Sequence, residues 1–129
     1  VVKAYNCRAE GPAEELGRVD LAGALALVDT HWAFADEDFE TEDEAVEKTM
    51  FGFYRDDEDF IEIEIVSSSF VTVRHEPERD GFIGQIFGRR EWLIHLHARE
   101  ELDAIVKAYF TSTQAGFEAM QSYPNEAIQ

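Results

Sequence analysis

The chain has 129 residues, room for one domain that buries roughly two-thirds of its unfolded surface, and its 45% hydrophobic content, with ten Phe, four Tyr and two Trp, excludes a disordered acidic tail. A formal net charge of -17 and a pI near 4.4 argue against a nucleic-acid backbone or an anionic membrane as partner, because both are themselves negative. One cysteine, Cys7, excludes an internal disulfide and fits a reducing cytosol, and no apolar run approaches the roughly 18 residues that span a bilayer.

Residues 1–8 begin with β-branched Val1-Val2 and end before Glu10-Gly11-Pro12, which predicts a strand, a turn and then an acidic, mobile link. Val1-Val2-Lys3-Ala4 carries no signal-peptide pattern and no Met, so residues upstream are left open and the chain is read as cytoplasmic. From Asp20, an expected N-cap, Leu21, Leu25, Val28 and Trp32 fall on one helical face. Residues 35–48 hold eight carboxylates beside Phe34, Phe39 and Val46 without an apolar period. They predict a loop with at most one short helical turn over 42–48.

Residues 49–54 then read as a strand, 55–59 as a polar turn and 60–66 as the antiparallel partner. There Ile61, Ile63 and Ile65 alternate with Glu62 and Glu64, the period of a sheet with one dry and one wet face. After Ser67-Ser68-Ser69, strands are expected over 70–75, 82–87 and 91–97. The closing element is a helix of about five turns, with Leu102, Ile105, Val106, Tyr109, Phe110, Thr113, Phe117 and Met120 as its stripe and Pro124 as its stop. The sum is a single α+β domain over 1–129 in the order β-α-β-β-β-β-β-α, an antiparallel β-meander with two helices packed on one face.

Half of the chain's 28 acidic residues lie between positions 36 and 64, against only Lys48 and Arg55. A charge run is most often a solubilising surface, but such a surface mixes both signs, as residues 82–110 do. A dense negative field steers a cationic partner. The candidate contacts are Asp36, Glu37, Asp38, Phe39, Glu40, Tyr54, Asp56, Asp57, Glu58, Asp59, Glu62 and Glu64. Glu62 and Glu64 are expected to be held on a strand, the loop acids to order on binding, and Trp32, Phe34, Phe39 and Tyr54 to supply anchors.

Other chemistry is thin. His95 and His97 project from one face of a strand as two potential metal ligands, with His75 or Glu91 as thirds, but nothing spaces a third ligand, and no metal or cofactor is expected. Cys7 with His31 or His75 as base lacks a local catalytic signature, and no phosphate loop or hydrolase motif is present. Asp56-Asp57-Glu58-Asp59 lacks the alternation of a calcium loop. Arg89-Arg90 is expected to pair internally. No catalytic residue is assigned.

This element order, with Tyr54-Arg55-Asp56-Asp57, Gly88-Arg89-Arg90-Glu91-Trp92 and a closing helix containing Ala104, Ala108, Tyr109 and Phe110, resembles the small immunity proteins that protect bacteria from polymorphic or contact-delivered toxins, most closely the Imm1-like group. The resemblance implies a cytosolic, non-enzymatic inhibitor that binds its cognate toxin one-to-one and often covers the active site. Toxins acting on nucleic acids or nucleotides commonly have basic clefts, where carboxylates can stand in for phosphates. A secretion chaperone, or a small ligand- or metal-binding domain using His95 and His97, remains as an alternative. A neighbouring gene for a toxin, an effector or neither separates the three.

Overall fold

The isoleucine alternation of residues 61–65 builds the middle of the sheet. A computed structural model describes residues 1–55, 59–77, 91–113, 116–117 and 127–128. Its elements are β1 (Val2–Asn6), β2 (Glu14–Arg18), α1 (Leu21–Trp32), α2 (Glu42–Thr49), β3 (Met50–Arg55), β4 (Asp59–Ser67), β5 (Phe70–Pro77), β6 (Glu91–Leu96), α3 (Arg99–Thr111) and β7 (Ala127–Ile128). The strands form one antiparallel sheet in the order β2-β1-β3-β4-β5-β6-β7.

Register carries the alternation across the sheet. Ile61 lies opposite Phe53 and His75, and Phe53 opposite Ala4, so these side chains share one face. That face is dry: Phe51, Phe53, Ile61, Ile63, Ile65, Val71 and Val73 are buried against Ala24 and Val28 of α1 and Leu102, Ile105 and Val106 of α3. Each fully buried aliphatic or aromatic side chain contributes about 1.5–3 kcal/mol through removal from water. Arg99 at the start of α3 ties the two helices together, bonding Asp103 on its own helix at 2.8 Å and Asp29 on α1 at 2.5 Å.

The expected α+β class and antiparallel sheet stand, but the order and helix count do not. Three helices are present among the described residues, and the order is β-β-α-α-β-β-β-β-α-β. The link after β1 is a strand, β2, which pairs with β1 through a turn where Gly11 has φ 79° and a bulge at Ala4/Tyr5. All five of its residues are exposed at the sheet edge, so no alternation marks it.

The acidic loop contains α2, an eight-residue helix without an apolar face. Its support is local: the Thr41 side chain accepts from the Glu44 N–H at 3.2 Å, Glu42, Asp43 and Glu44 occupy the positive end of the dipole, and Lys48 lies in the last turn. The helix runs into β3 with no residue between Thr49 and Met50.

Two further boundaries differ. Arg55 and Asp59 are not turn residues but the paired, buried ends of β3 and β4. The closing helix ends at Thr111, because Ser112 is extended. Beyond it, Phe117 N–H donates to the Thr113 carbonyl at 2.8 Å and Gly116 N–H to the Thr113 hydroxyl at 3.1 Å, and Phe117 is buried in the core. The strand expected over 82–87, Arg89-Arg90 and the stop at Pro124 lie outside the described residues. No helix among those described is long and apolar enough to cross a membrane.

Candidate functional site

The acidic run divides into acids the fold consumes and acids it presents. Asp59 belongs to the first group and is 4% exposed. Its carboxylate accepts from His75 Nε2 at 3.0 Å, from the Tyr109 hydroxyl at 2.9 Å and from Arg55 at 3.4 Å. Arg55 also donates to the Tyr109 carbonyl and lies 4.1 Å from the centre of the Tyr109 ring. Burial first, and then the adjacent Asp59 charge, push the Tyr109 phenol well above its ordinary range, so it stays a donor. This set joins β3, β4, β5 and α3, and Asp59, expected to contact a partner, is buried within it.

Glu62 is also withdrawn. It projects from the opposite sheet face, where its side chain is only 17% exposed. It accepts from the Tyr5 hydroxyl at 3.0 Å, from the Cys7 thiol at 3.4 Å and from Arg74 at 2.8 Å. Gly52 makes this possible, because a Cβ there would stand 2.4 Å from the Tyr5 hydroxyl oxygen. Tyr5, Gly52 and Glu62 are register partners, so the phenol lies across the glycine to reach the carboxylate. The rigid strand acid expected to meet a partner is therefore internally satisfied.

The same contact settles the cysteine. Burial and the Glu62 charge push the Cys7 thiol up to about 12, which leaves almost no thiolate at neutral pH. Neither proposed base reaches it as one: His75 is held by Asp59, and His31 Nδ1 meets the Lys48 carbonyl at 2.6 Å while Nε2 faces the Asn6 carboxamide at 2.9 Å. Both partners are oxygens that only accept, so each ring nitrogen bonds its neighbour only when it carries a proton. Burial holds the His31 pKa below its ordinary value, and its ring stacks on Phe51 at 4.4 Å.

The presented acids are those of residues 36–47. Asp36, Glu37, Asp38, Glu40, Glu42, Asp43, Glu44 and Glu47 are all exposed. Asp36 Oδ1 accepts the Ser68 N–H at 2.9 Å, and hydrogen bonds from Ser68, hydroxyl and amide, hold its carboxyl below the usual carboxylate range. No side-chain hydrogen bond or ion pair among the described residues engages the other seven. Phe39 is half-buried beside them, and Lys48, the nearest cation in sequence, lies 5.1 Å from the Phe34 ring centre.

Asp36 anchors this segment at the Ser67–Ser69 end of the β4–β5 hairpin. Asp59 lies at the other end of β4, roughly 27 Å away at about 3.4 Å per residue. Asp36 and Asp59 therefore stand at opposite ends of β4. Asp56, Asp57 and Glu58 lie outside the described residues. Glu64 is half-buried on the outer sheet face, and the Tyr54 hydroxyl donates to Glu15 on β2 at 2.8 Å.

His95 and His97 are exposed on that outer face, but both stack on Phe70, at 5.5 and 5.8 Å between ring centres. His75 points to the opposite, buried face and cannot join them. No group of three His, Cys, Asp or Glu among the described residues is arranged to hold a metal ion. Comparison with protein-family models, with curated proteins and with solved structures found no match.

Proposed function

We propose that this chain is a non-enzymatic inhibitor of the immunity type, which binds a cognate basic toxin one-to-one in the cytoplasm through the carboxylates of residues 36–47. The observation that carries the reading is the exposure of eight carboxylates in twelve residues, seven of them without an internal partner. Leaving like charges unpaired opposes folding, whereas a cationic cleft relieves that repulsion and gains electrostatic steering. The acids of the same run that the fold needs are already neutralised inside, so the exposed set is not a structural requirement of the sheet. A toxin acting on nucleic acids or nucleotides has the basic cleft that such a surface fits.

The test begins with co-purification from native cells and mass spectrometry of the bound protein, followed by stopped-flow association of the two purified proteins. A basic partner is expected, with an association rate that falls at least tenfold between 50 and 500 mM salt. Replacing Glu37, Asp38, Glu40 and Glu47 with Lys is expected to slow association further and to abolish protection of cells against the toxin. An acidic partner, or a rate indifferent to salt and to the four substitutions, overturns the proposal.

A further inference from the structure

Beside the acidic segment the outer sheet face carries an apolar patch that the fold does not require. The β4–β5 register shifts between Ile65 and Ser67, which leaves Val66 as a bulged residue without a cross-strand partner. Val66 is 51% exposed, although a β-branched aliphatic gains nothing from water contact. The same hairpin end carries half-buried Phe70, paired with Ser67 and stacked against exposed His95 and His97. Asp36 is bonded to Ser68 within this turn, so the patch and the first of the exposed acids are contiguous.

An aromatic and aliphatic centre with a charged rim is the layout of a protein-binding surface, in which central apolar residues hold and rim charges steer. We infer that Val66 and Phe70, flanked by His95 and His97, form the apolar centre of the docking surface for a cationic protein, and that residues 36–47 form its rim. The inference rests on the acidic-surface reading above and adds where the partner must place an apolar side chain. Charge selects the occupant: a second copy of a chain with net charge -17 is repelled, and so is an anionic membrane.

Two peptides of equal charge separate the two claims. One is ten lysines, the other ten lysines with a central Trp-Leu pair, each titrated into ¹⁵N-labelled full chain at 20 mM salt. Both are expected to shift the amides of residues 36–47. Only the second is expected to shift Val66, Phe70, His95 and His97, and to bind about tenfold more tightly, a gain of 1.4 kcal/mol in free energy. Val66→Ser is expected to bring that ratio close to one, whereas Leu16→Ser, a control at the exposed β2 edge, leaves it unchanged, with melting curves confirming that both variants fold.

Equal affinities for the two peptides, or a preference that survives Val66→Ser, overturn the apolar centre and leave the acidic surface standing. Failure of both peptides to bind at low salt overturns both. Concentration-dependent dimerisation by analytical ultracentrifugation, abolished by Val66→Ser, overturns the assignment of the occupant.

Discussion

Asp59 and Glu37 come from one acidic run, yet they have opposite fates. Asp59 sits buried against α3 with three donors on its carboxylate, and Glu37 stands in water with none. Sequence crowding of charge is thus no guide to charge in space, because a strand end beside Arg55, His75 and Tyr109 can absorb a carboxylate that a loop cannot. Stability should depend on the first kind of acid and recognition on the second.

The sharpest way to break this contrast is Asp59→Ala, which leaves Arg55 buried without its counter-charge. It is expected to cost about 3–5 kcal/mol in urea denaturation, a large part of the roughly 5–15 kcal/mol that holds an ordinary domain together. Gly52→Ala comes next. The new methyl must displace the Tyr5 ring or the Ile61 carbonyl, so a loss of about 2 kcal/mol is expected, while Tyr5→Phe, which removes only the bond to Glu62, should lose about 1 kcal/mol. Asp20→Ala removes the side-chain bond to the Gly23 N–H at 2.7 Å and should cost about 1 kcal/mol, read in the same experiment.

A smaller effect belongs to His31. Its pKa is lowered in the folded chain by burial, so the unfolded chain binds the proton more readily. Its contribution is therefore full above the ordinary histidine pKa of about 6.5 and is lost as pH falls below it. Denaturation midpoints should decline from pH 7 to pH 5, and His31→Gln should flatten that slope. At the far end of the scale, the four lysine replacements at Glu37, Asp38, Glu40 and Glu47 should leave stability within about 0.5 kcal/mol of the parent. A large loss there would show that the exposed acids are structural after all.

The legible parts of the fold are those where burial imposes a period. Ile61, Ile63 and Ile65 mark β4, and the stripe from Leu102 to Tyr109 marks α3, because each has one dry face. Asp20 marks the start of α1, where Ala24, Val28 and His31 are buried and Leu21, Leu25 and Trp32 pack half-buried against the core. β2 was read as a link, and α2 as no more than one helical turn, for the opposite reason: neither buries a continuous apolar face. The Thr41-Glu42-Asp43-Glu44 spacing is a capping-box pattern that would have revealed it.

The site was partly legible in the same sense. Composition located the acids, but only register and packing separated Asp59 and Glu62 from the exposed set. The partners that neutralise these two, Tyr5, Arg74, His75 and Tyr109, lie 12 to 57 positions away in the chain. No local pattern could announce such contacts. The patch around Val66 depends on a bulge, which leaves no trace in composition.

The direct passage from Thr49 to Met50 has a mechanical meaning. Most helices hang from a strand by a few loose residues that absorb any pull, but here the last helical turn is already the start of an inner strand, with β1 on one side and β4 on the other. The helix is a crank welded to its shaft. A load applied at α2 is transmitted as torsion to β3, and amide hydrogen exchange in β3 and its two neighbours should slow whenever α2 is gripped.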